Sequence, residues 1–228
     1  MTESITEPIQ EPQENQDEAN QRNRQIARST VIVMVAFAVA KVISLAQTVI
    51  IAQAFGVGSE WDSFVTANRI PELIFTLISG GALAHAFIPI FSSYLARDDK
   101  PGAWRIATNV INFIFSVTFI VSAVVFVVAP WMVEHVVAPG FTLEQVEQTA
   151  QLMRILLIST LIFSVSGISM GILQSHNHFL LPALAPIMFD VGILFGVIFL
   201  LPSMGVVGIS LGAVLGAAMH FGIQVPGL

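Results

Sequence analysis

Residues 30–55 read TVIVMVAFAVAKVISLAQTVIIAQAF, an apolar segment with one charged residue, Lys41. A helix crosses the hydrocarbon core of a bilayer with about 20 mostly apolar residues. Further apolar stretches follow to the end of the chain. They are continuous rather than alternating, which favours helices over a β-barrel. The sequence therefore predicts an all-α polytopic membrane protein with six transmembrane helices, at residues 30–55, 64–94, 106–133, 152–173, 180–201 and 205–225.

Composition supports this fold class. Hydrophobic residues make up 55% of the chain and charged residues 11%, and the mean hydropathy is +0.81. Soluble domains carry about 25% charged residues. Residues 1–25 are rich in Gln, Glu and Asn and lack an apolar face, so they predict a disordered acidic tail. Residues 26–228 are the predicted six-helix membrane domain, and the acidic balance implies no nucleic-acid partner.

Basic residues predict the orientation. Arg22, Arg24 and Arg28 precede the first span, and further Lys and Arg residues lie between the second and third spans. The positive-inside rule places both segments in the cytoplasm. The N-terminus is thus predicted to be cytoplasmic, and six spans return the C-terminus to the same side. The chain ends there without a basic anchor, so we expect it to be a fragment or half of a longer protein.

Ionisable residues lie deep inside predicted spans, among them Lys41, Arg69, Glu72 and Asp190. A charge at the bilayer centre costs about 2.5–3.5 kcal/mol on insertion scales, so it lines a polar pathway or pairs with a partner. At about 1.5 Å per residue, Lys41 and Asp190 lie roughly 16 and 15 Å from the inner ends of their helices. Two interpretations follow: a buried Lys41–Asp190 ion pair, or a hydrated cavity whose cation meets an anionic substrate.

Polar neighbours extend both candidate positions. Ser44, Gln47 and Thr48 form a stripe with Lys41 on the first helix, which indicates either a water-facing surface or hydrogen bonds to neighbouring helices. On the second helix, Arg69 and Glu72 are spaced to pair locally or to contact substrate. Pro71 and the pair Gly80-Gly81 predict a kinked or broken helix there.

Glycines recur at four-residue spacing in the last three spans, which predicts close helix packing. These residues are Gly167/Gly171, Gly192/Gly196 and Gly208/Gly212/Gly216.

Enzymatic function is not indicated. The chain has no Cys, and we find no P-loop, HExxH or GxSxG motif. His176 and His178 lack a third ligand nearby, which argues against a metal site. We therefore predict no catalytic residue, no metal and no cofactor.

Several short motifs together resemble the MurJ (MviN) family of lipid II flippases, in the multidrug/oligosaccharidyl-lipid/polysaccharide exporter superfamily. The resemblance covers roughly residues 26–228. The motifs are Phe55-Gly56 through Asp62 and Phe64, Arg69-Ile-Pro71-Glu-Leu, Gly81-Ala-Leu, Ala86-Phe-Ile-Pro89, Ala129-Pro-Trp131, Ala138-Pro-Gly-Phe141, Gly171-Ile-Leu-Gln-Ser-His-Asn177-His-Phe179 and Pro182-Ala-Leu-Ala-Pro186.

This resemblance implies the N-terminal lobe of a two-lobed flippase, with the C-terminal lobe in the same or a neighbouring chain. It implies a multi-pass protein of the bacterial inner membrane. The implied function is to flip a lipid-linked peptidoglycan precursor from the inner to the outer leaflet through a central cationic cavity. Lys41 and Gln47 occupy positions where the family carries cavity arginines, and Asp62 and Arg69 match the family. The expected cavity residues are Lys41, Ser44, Gln47, Thr48, Asp62, Arg69, Glu72 and Asp190.

Two alternatives remain at this stage. The same scaffold, with a less cationic cavity, would suit an exporter of another lipid-linked oligosaccharide or of a small molecule. A degenerate half-lobe would instead be a non-transporting membrane partner.

The orientation is directly testable, because the chain has no native Cys. We expect a Cys introduced at Ser59 to react with an impermeant thiol reagent in intact cells. A Cys at Asp98, on the cytoplasmic side, should react only after lysis. Labelling of position 98 but not of position 59 in intact cells would reverse the predicted orientation.

Overall fold

The computed structural model describes residues 13–56, 58–78 and 82–228, with the side chains of residues 13–30, 32 and 82–85 left aside. All its regular elements in these ranges are helical, which confirms the predicted fold class. The helices are α1 Gln13–Phe55, α2 Ser59–Ile78, α3 Ala82–Ala96, α4 Lys100–Met132, α5 Leu143–Ser175, α6 Leu180–Phe195, α7 Leu201–Met204 and α8 Val206–Gly222.

Helix α1 begins inside the segment predicted to be a disordered tail. Its backbone is helical from Gln13, whereas residues 1–12 lie outside the described residues. Gln, Glu and Arg are good helix formers, so this segment can continue the membrane helix without a core partner. The domain boundary at residue 25 stays a prediction.

Five helical stretches are long and apolar enough to cross a bilayer: Val33–Phe55, Lys100–Val137, Leu143–Ser175, Leu180–Met204 and Val206–Gly227. They correspond to five of the six predicted spans. The remaining one, residues 64–94, is divided between α2 and α3. Helix α2 ends at Ile78 and α3 begins at Ala82. The Gly80-Gly81 pair, where the sequence predicts a break, lies outside the described residues.

Helix α5 is the centre of the packing. It contacts α2, α3, α4 and α8, and its buried residues occupy all sides of the helix. Helix α1 packs instead against α6, at the edge of the bundle. The main core cluster joins α5 to α2, α4 and α8 through residues such as Ala67, Met153 and Ile209. The lobe is therefore built around α5, with α1 as a peripheral helix.

The glycines of α6 and α8 bring these two helices into backbone contact. A Cβ added at Gly192 would lie 2.2 Å from the Gly216 Cα, and one at Gly212 would lie 2.7 Å from the Gly196 Cα. A Cβ at Gly171 would meet the Phe87 ring at 3.2 Å, whereas one at Gly167 meets nothing within 4 Å. The packing prediction is thus confirmed for the α6–α8 glycines, whereas Gly167 has no close neighbour among the described residues.

Terminal caps fix the helices beside two connections. The Asp99 carboxylate accepts a hydrogen bond from the Gly102 amide at the start of α4, at 2.9 Å. Thr142 and Gln145 form a reciprocal capping box at the start of α5. Gly205, with φ of 58° and ψ of −147°, joins α7 to α8; this conformation is essentially restricted to glycine.

The α6–α8 contact predicts an asymmetric response to alanine. We expect Gly192→Ala to destabilise the protein by about 1–3 kcal/mol, because the new methyl group overlaps the α8 backbone. Gly167→Ala is the matched control: it brings the same gain in helix propensity and has open space around its Cβ. Thermal unfolding in detergent measures both variants. Equal melting temperatures for the two would show that the helices separate without cost.

Candidate functional site

A cavity of about 260 Å³ lies between α2 and α5 on one side and α6 and α8 on the other. Its lining mixes a carboxylate, an amide and hydroxyl groups with aromatic rings. The lining residues are Asn68, Pro71, Glu72, Phe75, Leu156, Ser159, Thr160, Phe163, Phe189 and Ala213.

Proline 71 positions the α2 side of this cavity. It lies inside α2 without ending the helix, and its ring removes one backbone donor. The Thr160 hydroxyl of α5 lies 3.4 Å from the Pro71 carbonyl and 3.4 Å from the Leu156 carbonyl. Thr160 thus ties α5 to the irregular turn of α2. The neighbouring Glu72 is exposed and also lines the cavity.

Aromatic rings form a continuous wall across the cavity. The Phe163 ring of α5 lies 5.5 Å from the Phe75 ring and 5.1 Å from the Phe189 ring. These separations are typical of favourable aromatic pairs. The wall therefore links α2, α5 and α6 through Phe163.

Behind Phe163 lies a buried polar network that joins α5 to the end of α8. The Gln224 amide donates to the Ser166 hydroxyl at 2.8 Å and to the His220 carbonyl at 2.9 Å. Ser166 Oγ lies 2.8 Å from His220 Nδ1, so the hydroxyl donates to a ring nitrogen that acts as acceptor. The His220 ring also packs edge-on against Phe163, at 5.1 Å. This network fixes the ring that forms the cavity wall.

The predicted stripe on α1 is divided by the structure. Lys41 and Thr48 are exposed, Ser44 is half-buried, and Gln47 is buried with 7% exposure. The Thr48 hydroxyl donates to the Ser44 carbonyl at 2.9 Å, within its own helix. Gln47 therefore belongs to the packed side of α1, and Lys41 to its open side.

The predicted residues of α2 are all exposed. Asp62 lies in the first turn, where a carboxylate interacts favourably with the helix dipole. Arg69 and Glu72 are also exposed. Within the described residues, the ion pair found within 4.0 Å is His135–Glu134, at 3.7 Å. The local Arg69–Glu72 pair considered from the sequence is therefore not formed.

Lys41 and Asp190 are brought near each other without forming an ion pair. Helix α1, which carries Lys41, packs on α6, which carries the half-buried Asp190. In the described part of the chain, the Lys41 ammonium and the Asp190 carboxylate do not come within 4.0 Å of each other. The buried Lys41–Asp190 ion pair, one of the two interpretations of the sequence, is therefore not formed in this structure.

Several cavity residues do not emerge from sequence reasoning. Asn68, Phe75, Ser159, Thr160, Phe163 and Phe189 are among them. A hydropathy profile does not distinguish a Ser, Thr or Phe residue that lines a cavity from one elsewhere in a membrane span. The available signal was local: Asn68 and Phe75 each lie within one turn of Pro71. Among the described residues, no group of three His, Asp or Glu side chains is placed to hold a metal ion.

Comparison with known proteins gives a consistent picture. The family model described as "Lipid II flippase MurJ" matches residues 51–228. The "Probable lipid II flippase MurJ" of Rhizobium tropici is 31% identical over 149 residues, covering 64% of this chain and 28% of the relative. The "Lipid II flippase MurJ" of Burkholderia cenocepacia is 27% identical over 191 residues, covering 82% of this chain and 37% of the relative.

A solved structure shares the fold. "Lipid II flippase MurJ, inward closed conformation" superposes with a TM-score of 0.73 at 22% identity, over 87% of this chain and 42% of that one. The chain thus spans between 28% and 37% of the length of the two relatives above. It corresponds to one part of a larger helical assembly.

Proposed function

Because the chain belongs to the MurJ family of lipid II flippases, we propose that it forms one lobe of a transporter for a lipid-linked peptidoglycan precursor. In this proposal the substrate moves from the inner to the outer leaflet of the bacterial inner membrane. The chain contributes binding and movement, not a catalytic step.

The observation that carries this proposal is the exposure of charges on α1 and α2, of which Lys41 lies inside the membrane-spanning segment Val33–Phe55. Lys41, Arg69 and Glu72 are exposed on the lobe, and the described residues offer them no ion pair within 4.0 Å. Each would cost about 2.5–3.5 kcal/mol on insertion scales if it faced lipid at the bilayer centre. Water in a cavity, or a polar partner, removes that cost. This part of the lobe is therefore expected to line a hydrated space.

The side chains suit an anionic, sugar-bearing headgroup. Lys41 and Arg69 supply positive charge for a phosphate-linked group, and Arg69 offers a planar donor fork. Phe75, Phe163 and Asn68 provide apolar faces and an amide beside them. Glu72 and Asp190 limit the net positive charge, which keeps binding weak enough for release. Ser44, Thr48 and Asp62 border this space in the proposal, and Gln47 supports it from the packed side.

Transport by this scaffold requires a second lobe. Alternating access in such folds moves one repeat or bundle against another around a central site. The described lobe provides one wall, with the open side of α1 at its edge. We propose that the opposite wall comes from a C-terminal lobe, in the same or a neighbouring chain. The proposed orientation has the N-terminus in the cytoplasm, in keeping with the basic residues that precede the first span.

Charge at Lys41 is expected to decide substrate binding. In the full-length protein, Lys41→Arg should preserve flipping, whereas Lys41→Met should reduce it by at least about tenfold, the weight of one charged hydrogen bond. Lys100→Met is the matched control, because Lys100 is exposed at the start of α4, outside the proposed cavity. Rescue of cells depleted of their lipid II flippase measures activity, and membrane expression is followed in parallel.

Substitution of Asp190 distinguishes two roles for Lys41: binding the substrate and balancing the Asp190 charge. Asp190→Leu is compared with Lys41→Met and with the double variant. A double variant that folds but stays inactive supports a substrate-binding Lys41. Full recovery of flipping in the double variant would refute it, since removing both partners of a structural pair is often tolerated.

The need for a second lobe predicts that residues 1–228 alone do not transport. The isolated chain should reach the membrane and fail to rescue flippase depletion, because its cavity lacks an opposite wall. The full-length protein expressed to the same level is the positive control. Rescue by the isolated chain would contradict the two-lobe mechanism.

A further inference from the structure

A second, mostly apolar groove of about 350 Å³ lies between α4 and α5, away from the cavity described above. Its wall contains one cation, Arg154. The Ser122 hydroxyl oxygen is buried, so an occupant of the groove does not reach it. The groove is lined by Phe119, Ser122, Ala123, Phe126, Val127, Arg154, Leu157, Ile158 and Leu161.

Arg154 is held in place by a backbone group that proline sets free. In a regular α-helix, the Phe126 carbonyl accepts from the amide of residue 130, but Pro130 has no N–H. Arg154 Nε donates to this carbonyl at 3.0 Å. The guanidinium carbon also lies 5.2 Å from the centre of the Phe126 ring. This hydrogen bond uses the Nε–H group. The other four N–H groups of the guanidinium donate to no group among the described residues.

The order of lining residues gives the groove a direction. Along antiparallel α4 and α5, Arg154 lies beside Phe126 and Val127, and Leu161 lies beside Phe119. The groove therefore runs from Arg154 for about 10 Å towards the bilayer centre, at 1.5 Å per residue. Arg154 is also roughly 31 Å from Ser175, the other end of α5, and the hydrocarbon core is about 30 Å thick. With Ser175 at one surface of that core, Arg154 lies at the headgroup level of the opposite leaflet.

We propose that this groove binds a glycerophospholipid of the leaflet beside the α4–α5 connection. The lipid phosphate accepts hydrogen bonds from the free guanidinium N–H groups of Arg154, and an acyl chain lies along Ala123, Leu157 and Leu161. A planar guanidinium is well suited to phosphate, and the apolar wall below it is suited to a hydrocarbon chain. The site is separate from the transport cavity and does not depend on the transported substrate.

A neighbouring groove provides an internal control. It lies between α3 and α4, has a similar volume of about 300 Å³, and is lined by Phe87, Ile90, Asn109, Val110 and their neighbours, without a charged residue. An acyl chain alone would fit either groove, whereas a phosphate would select the one with Arg154.

The test is native mass spectrometry of the full chain, delipidated in detergent and titrated with palmitoyl-oleoyl-phosphatidylglycerol. Palmitoyl-oleoyl-glycerol, which lacks the phosphate, is the matched lipid, and inorganic phosphate is the headgroup-only probe. Arg154→Gln keeps an amide donor but loses the charge. Ala123→Phe fills the groove at an exposed position and leaves Arg154 intact. Val110→Phe makes the same kind of change in the control groove.

We expect the unaltered chain to retain phosphatidylglycerol and to bind palmitoyl-oleoyl-glycerol and inorganic phosphate far less. Arg154→Gln should lower phosphatidylglycerol retention by about tenfold, the weight of a charged hydrogen bond. Ala123→Phe should also lower it, and Val110→Phe should not. If Arg154→Gln fails to fold, Ala123→Phe still decides. Equal retention of both lipids, or unchanged retention in Ala123→Phe, would overturn the proposal, as would a chain that retains no lipid.

Discussion

Hydrocarbon offers no hydrogen-bond partner, and this constraint governs every polar group in the membrane-spanning part of the chain. Several short hydroxyl side chains meet it by donating to a carbonyl of their own helix. The Ser175 hydroxyl donates to the Gly171 carbonyl at 2.8 Å, and the Thr48 hydroxyl donates to the Ser44 carbonyl at 2.9 Å. Long ionisable side chains cannot be satisfied in this way. The positions of these side chains therefore indicate where the lobe contacts water, lipid headgroups or another chain.

The same constraint explains why α5 is the centre and α1 the edge. Helix α5 carries many buried hydroxyl groups, including Thr160, Ser164 and Ser166. Such groups are compatible with a helix that is surrounded by protein, where they bond to their own backbone or across to α2 and α8. Helix α1 carries Lys41 on a side that no described helix covers. A rigid centre and an open edge are what a lobe needs if it moves as a unit against a second wall.

Most of the fold could be predicted from hydropathy, because a span leaves a long continuous signal. The α6–α8 contact followed from its glycine spacing. The sequence could not show which side of a helix would find a neighbour. Gln47 was therefore assigned to a polar stripe although it is buried, and Gly167 to a contact that it does not make among the described residues. Such assignments depend on tertiary packing.

The candidate site was less predictable for a related reason. Spacing allowed Arg69 and Glu72 to pair, but exposed side chains have freedom that a three-residue separation does not remove. Arg154 was missed because it lies near the end of an otherwise apolar span, where hydropathy tolerates one charge. The position of its side chain depends on Pro130, on another helix, which leaves the Phe126 carbonyl without its usual helical donor.

Depth in the membrane distinguishes the two sets of cations. Arg154 lies at headgroup level, so a lipid phosphate can reach it while the groove holds the chain. Lys41 lies roughly 16 Å from Thr30 along its helix, too deep for the phosphates of an undisturbed leaflet. Its lysine stem has only four methylene groups with which to reach the interface. An exposed cation at that depth requires a water-filled space, and an anionic headgroup carried into that space would meet it there. The same physical cost thus supports both proposals: a resident lipid at Arg154 and a transported one at Lys41.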